Sequence, residues 1–281
     1  MLPALMSKEL VDRLAVLVSG EGTMKLLGVP KLPNVTGQAE TTAVFNLIQE
    51  WNLADRIHFM CFDTTASNTG LPAGACVLLE QKLGRDLISL ACRHHTMELI
   101  VAKVFDTLMG PSSGPNIKLF QRFGECWGSI DRSDYKSELD EGSIASALNP
   151  VRNDLIHFIR QQLTEFQPGD DYRELLQLSL LFLGAECSAD VHVQAPGAFH
   201  RARWMAKLIY SLKIFLYRSQ FRLTARELSS LGHFNTFVLK VYLKSVFEIT
   251  GVVSHFATHF RHGVKHFKFC VALECDTLFR C

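Results

Sequence analysis

The stretch RIHFMCFDTTASNTG, residues 56–70, runs from a short apolar segment straight into a polar turn. Arg56 to Phe62 reads as a strand covered on both faces, as strands of parallel sheets are. Asp63 closes it, and Thr64, Thr65, Ser67, Asn68 and Thr69 follow. A carboxylate just past a buried strand has two readings here. It caps the turn and the start of the next helix, or it serves as a ligand for a hard metal ion.

Outward from this point the chain alternates in type. Downstream, residues 74–83 have helical spacing, with Cys76, Val77, Leu79 and Leu83 apolar. Residues 86–92 (DLISLAC) form the next strand and 96–109 a further helix ending at Gly110-Pro111. Upstream, 37–53 is an amphipathic helix. LAVLVS, 14–19, is a strand, and KLLGVPKL, 25–32, is a second one weakened by Gly28 and Pro30. Strands joined by a helix become parallel neighbours through a right-handed crossover. Asp63 and the Arg93-His94-His95 cluster therefore open on the same edge of the sheet, beyond the carboxyl ends of the strands.

Beyond residues 110–116 the period is helical almost throughout, with helices expected over 117–129, 149–167, 172–187, 199–218 and 223–249. The acidic run 131–143 is a loop. The fold class is α/β, followed by an all-helical region. The domains run 1–112, 113–250 and a His/Phe-rich tail, 251–281, of unclear structure.

The 281 residues are 48 % hydrophobic and 20 % charged, which excludes a disordered, collagen-like or low-complexity chain. No apolar run approaches the ~20 residues of a membrane span, so no membrane partner is expected. Neither does the N-terminus resemble a signal peptide. The eight Cys are scattered, which suits reduced thiols in an intracellular protein. The net charge of +1 conceals a division. Residues 199–281 hold 13 Lys and Arg against 4 Asp and Glu, net +9, and residues 1–198 hold 16 against 24, net −8. A basic C-terminal end suits a polyanion such as DNA, although solvated helix faces look the same.

Three further groups stand out. Cys92 and His95 have a Cys-x-x-His spacing, but no second pair lies near them to complete a zinc site. Arg201, Arg203 and Lys207 flank Trp204, combining cations with a stacking face that suits a nucleic-acid strand. His255, His259, His262 and His266 share a helical spacing that Gly263 interrupts.

Together FDTTASNTG (62–70), GACVLLEQKLG (74–84), ISLACRHH (88–95) and ARWMAKLIYSLK (202–213) resemble transposase-derived proteins with a ribonuclease-H-like core, related to the hAT-type cut-and-paste transposases. The resemblance covers roughly residues 5–248. It implies a partial ribonuclease-H-like core followed by an all-helical insertion domain, and nuclear residence. It makes Asp63 the second of three metal-binding acids and sets Cys92 and His95 in a motif after the fifth strand. Arg203 and Trp204 become a pair close to DNA. The strand that should carry the first acid is expected to be missing ahead of Met1-Leu2-Pro3, and Glu248 and Glu274 are poor matches to the third acid. One aspartate cannot hold two metal ions. The expectation is a truncated, domesticated derivative: catalytically inactive, with vestigial Asp63, no cofactor and residual DNA binding. The alternatives are an active nuclease or transposase using Mg2+ or Mn2+ at Asp63, and a helical interaction module that forms a homo-oligomer.

Overall fold

The computed structural model describes residues 2–4, 7–20, 23–111, 117–137, 139, 142–165, 169–186, 191, 193–196, 203–247 and 269–274. Of residues 2–4, 7–11, 23–24, 93–94, 203–204 and 269–274 it describes the backbone alone. The protein is mixed α/β. It divides into two compact units, residues 1–96 with 248–281, and residues 97–247.

The first unit opens with strands β1 (Leu2–Ala4), β2 (Ser7–Arg13), β3 (Ala15–Gly20), β4 (Thr23–Gly28) and β5 (Lys31–Leu32). Helix α1 (Gly37–Glu50) leads to β6 (Ile57–Phe62), then α2 (Ala66–Thr69), α3 (Ala75–Leu83) and β7 (Ile88–Ala91). Strand β8 (Phe269–Glu274) comes from the far end of the chain. A small sheet has the order β1-β2-β5, and a five-stranded sheet has the order β4-β3-β8-β6-β7. The expected strand at 25–32 is split in two, as Gly28 and Pro30 suggest, with a register shift opposite at Val16/Leu17.

Strand β8 lies between β3 and β6. It runs antiparallel to β3, with Val18 opposite Val271, and parallel to β6, with Met60 opposite Val271. The C-terminal tail, read from the sequence as of unclear structure, thus supplies the central strand of the five-stranded sheet. The physical reason is that β3 and β6 are buried strands whose facing backbone groups need partners. The run FCVALE, apolar up to its last residue, supplies a strand that local periodicity in a Phe/His-rich tail does not reveal.

The core of this unit gathers Val16, Val18, Val44, Ile48, Ile57, Met60, Phe62 and Leu79. Strand β6 is buried on both faces, as its composition predicts. Helix α1 starts at Thr36, whose hydroxyl accepts the Ala39 amide at 3.4 Å, and packs against α3. Their approach is close. Thr41 Oγ1 donates to Gly37 O at 2.6 Å and to Ala75 O at 3.2 Å. A Cβ on Gly37 would run into the Ala73 carbonyl and stand 2.7 Å from the Ser67 carbonyl. Helix α3 ends at Gly84, whose φ of 68° is the left-handed conformation that glycine adopts without strain.

Helix α4 (Arg93–Met109) begins in the first unit and continues into the second. The boundary falls between residues 96 and 97, earlier than the expected 110–116, because Val101 and Phe105 are buried in the helical core. The second unit then contains α5 (Lys118–Cys126), α6 (Gly142–Leu148), α7 (Arg152–Thr164), α8 (Asp170–Phe182), α9 (Arg203–Leu216) and α10 (Ala225–Phe237). A π-helical stretch, Val238–Tyr242, extends α10, and helix resumes over 243–247. Helix α6 lies partly inside the run 131–143 expected to be loop. Leu175, Leu178, Phe182, Ile209, Leu212 and Phe215 fill the centre. Among the described residues no helix is long and apolar enough to cross a membrane.

Candidate acidic site at the carboxyl end of the sheet

Asp63 follows β6 directly, and its carboxylate organises the turn. Oδ1 accepts the Thr65 amide at 3.1 Å, the Thr65 hydroxyl at 2.5 Å and the Asn68 side-chain N–H at 2.7 Å. The Thr65 and Ser67 hydroxyls lie 3.1 Å apart. This is the turn-capping geometry that Asp and Thr favour, and it occupies one oxygen of the acid with three donors.

The parallel register brings a second acid to the same edge. Phe62 stands opposite Leu273, so Asp63 and Glu274 are the next residues on neighbouring strands. Sequence alone left Glu274 without a context, because the position becomes meaningful only once β8 lies beside β6.

A third acid was missed. Glu40, on α1, is 1 % exposed, and neither of its carboxylate oxygens has a hydrogen-bond partner. Burial pushes its pKa above the ordinary 4.5. The nearby Ser67 hydroxyl works the other way without completing a well-formed hydrogen bond, and the Asp63 charge adds to the rise. One signal was available: Glu40 shares a helical face with Gly37, Thr41, Val44 and Ile48, all buried. A carboxylate on such a face breaks the amphipathic pattern. Cys76 belongs to the same surroundings. Burial first, then the charges of Glu80, Glu40 and Asp63, push its thiol up to about 12, which keeps it protonated and unreactive.

Cys92 and His95 stand at the junction of β7 and α4. The Cys92 amide donates to Phe62 O at 2.7 Å, and the Cys92 carbonyl accepts the Thr96 amide at 3.0 Å and the Thr96 hydroxyl at 3.1 Å. Among the described residues no group of three His, Cys, Asp or Glu side chains is placed to hold a metal ion.

Of the candidate DNA-contacting residues, Arg203, Trp204 and Lys207 belong to α9. Arg203 and Trp204 stand on its first turn. Lys207 Nζ lies 3.6 Å from Asp106 Oδ1 and 4.9 Å from the centre of the Phe105 ring, with its side chain 12 % exposed. Its ammonium is therefore committed within the helical unit. Arg201, Glu248 and the four tail histidines lie outside the described residues. Deeper in the helical core, Lys213 and Glu174 form a buried ion pair at 2.7 Å. Nothing in the sequence singles it out, because both residues sit in otherwise ordinary amphipathic helices. Comparison with protein-family models, curated proteins and solved structures finds no match to this chain.

Proposed function

We propose that the chain is a transposase-derived protein with a ribonuclease-H-like core, catalytically inactive, that binds DNA through its basic C-terminal half. The strand order carries this reading. A β4-β3-β8-β6-β7 sheet, antiparallel on one side of β8 and parallel on the other, supports kinship with that core. It also puts Asp63 at the carboxyl edge, where parallel α/β sheets gather their functional groups. The absence of catalysis is inferred from the Asp63 turn, where Thr65 and Asn68 engage Oδ1. The DNA partner draws on the +9 charge of residues 199–281. Nuclear residence follows from the same kinship.

The test is binding of the full chain to duplex DNA at about 50 and about 200 mM salt. Electrostatic contact with phosphates makes affinity fall steeply with salt. Weak sequence preference with a large loss at the higher salt supports the reading, and no binding at the lower salt defeats it.

One observation favours a second reading, an active metal-dependent nuclease. Glu274 is next to Asp63 in register, so two acids from adjacent strands share the edge. A divalent ion there would polarise phosphate oxygens and activate water. Mg2+- or Mn2+-dependent nicking of DNA that disappears in both Asp63→Asn and Glu274→Gln would establish this reading and displace the inactive one.

A further inference from the structure

The hydroxyls between Asp63 and Glu40 can be given a direction. Asp63 Oδ1 accepts from the Thr65 hydroxyl at 2.5 Å, as well as from the Thr65 amide and the Asn68 side-chain N–H. The single hydrogen of the Thr65 hydroxyl is thereby used. The Thr65 and Ser67 hydroxyl oxygens lie 3.1 Å apart, so the hydrogen between them comes from Ser67. Turned elsewhere, it would leave two oxygens facing each other with no hydrogen between them. Ser67 then has only lone pairs to offer Glu40, the α1 acid on which it acts.

Glu40 is 1 % exposed, and among the described residues neither of its oxygens has a hydrogen-bond partner. Neighbouring charge does not help. Asp63 acts on Glu40 through its charge, without a hydrogen bond between them, and with the same sign. On α3, Cys76 is held protonated, Glu80 Oε1 accepts the Leu87 amide, and Lys82 Nζ lies over the Phe45 ring, 5.3 Å from its centre. On β4, Lys25 Nζ lies 4.3 Å from the centre of the Trp51 ring, and Lys31 on β5 is exposed. None of these three lysines is among the groups that act on Glu40. A carboxylate buried in such a place takes up a proton. The protonated acid has the donor that the Ser67 lone pairs lack.

We propose that Glu40 keeps its proton in the folded chain and heads a directed run of hydrogen bonds, from Glu40 to Ser67 to Thr65 to Asp63, that latches α1 to the turn after β6, and that loss of this proton opens the latch. The latch sits where the two segments approach closely: a Cβ on Gly37 would stand 2.7 Å from the Ser67 carbonyl. The sign of its pH dependence follows. Unfolded, Glu40 titrates at its ordinary 4.5, and folded it titrates higher. The contribution to stability is therefore whole below pH 4.5 and is lost as pH rises from there to the folded value. Across that window the folding equilibrium constant falls by up to about 10-fold per pH unit, the effect of one proton. The latch belongs to the first unit and is independent of the DNA-binding reading, which a negative result here would leave standing.

The test compares the full wild-type chain with Glu40→Gln in urea denaturation from mildly acidic to mildly alkaline pH. Glutamine carries a donor at every pH and stands in for the protonated acid. The advantage of the variant should widen by up to about 10-fold in folding constant per pH unit. In the wild type alone, hydrogen exchange in α1 should quicken beyond its intrinsic rise with pH. Parallel profiles, or a wild type that gains on the variant as pH rises, overturn the proposal. The infrared spectrum of the wild type reads the proton directly and decides the matter if Glu40→Gln does not fold. The carbonyl band of a neutral carboxyl should be present at neutral pH and disappear on alkalinisation together with the quickening of exchange in α1. Absence of the band at neutral pH, or its disappearance without that quickening, overturns the proposal.

Discussion

Replacing Lys213 by Met should strip the helical unit of most of its stability. Lys213 Nζ and Glu174 Oε1 are 2.7 Å apart, with side chains 1 % and 2 % exposed. The same ammonium donates to Gln194 O at 2.8 Å, and Glu174 Oε1 accepts the Gln194 amide at 2.9 Å. Two opposite charges thus clasp both backbone groups of one residue against α8 and α9. Burial pushes the Lys213 pKa below 10.5, opposed by the Glu174 charge and hydrogen bond. With the ammonium gone, Glu174 is a buried anion whose Oε2 already lacks a partner. Breaking one side of such a pair costs ~3–5 kcal/mol.

Removing both charges, as Lys213→Met with Glu174→Leu, should cost much less, since a buried pair is close to neutral against apolar groups of similar volume. What remains is the loss of partners for the half-buried Gln194 backbone, ~1–3 kcal/mol for each group left unsatisfied. The coupling between the two substitutions should therefore be about 2 kcal/mol or more. A double-mutant cycle on the urea transition of the helical unit, followed by far-ultraviolet circular dichroism, measures it. Single-variant losses that add within ~0.5 kcal/mol would refute the reasoning.

Gly37→Ala should lower the melting transition of the first unit by an amount corresponding to ~1–3 kcal/mol, because the new methyl meets rigid backbone at Ala73, Ser67 and Ala75. Faster hydrogen exchange in α1 should accompany the loss, and wild-type exchange would contradict it. At the start of α10, Thr224 and Glu227 form a reciprocal cap. Thr224→Ala should therefore cost ~1 kcal/mol at neutral pH in chemical denaturation. Burial works to raise the Glu227 pKa, but the Thr224 amide, Arg122 and the Thr224 hydroxyl overcome it and hold the acid below its ordinary 4.5. Its contribution is then present above pH 4.5 and lost as pH falls through the lower folded value. The stability gap between wild type and Glu227→Gln should shrink in that acid range, and a gap that widens on acidification would have the wrong sign.

The elements of the first unit were legible where local pattern and burial agree. Residues 57–62 are apolar on both faces and form a strand buried on both faces. The break at Gly28 and Pro30 divides β4 from β5 as their backbone chemistry requires. Non-local pairing was not legible. Strand β8 is stabilised by β3 and β6, more than 200 residues away in sequence, so no window around residues 269–274 contains the cause of its conformation. The site divides in the same way. Asp63 was visible as the end of a strand and its turn. Glu274 acquires a neighbour only through register, and Glu40 only through the packing of α1 on the β6–α3 region. Lys213 and Glu174 find each other across two helices, which amphipathic periodicity does not encode.

The placement of β8 is the premise of both the fold reading and the two-acid edge, and a disulfide can report it. Ser19 stands opposite Cys270 in the antiparallel β3–β8 ladder. Directly opposed residues of such a ladder have Cα atoms ~4.5–5.5 Å apart, within the range a disulfide spans. Mild oxidation of Ser19→Cys, followed by proteolysis and mass spectrometry, should recover a linkage between position 19 and Cys270 within one chain, in preference to any involving the thiols of Cys61, Cys76, Cys92 or Cys126. A folded variant in which the introduced thiol stays free, or couples elsewhere, would contradict the placement.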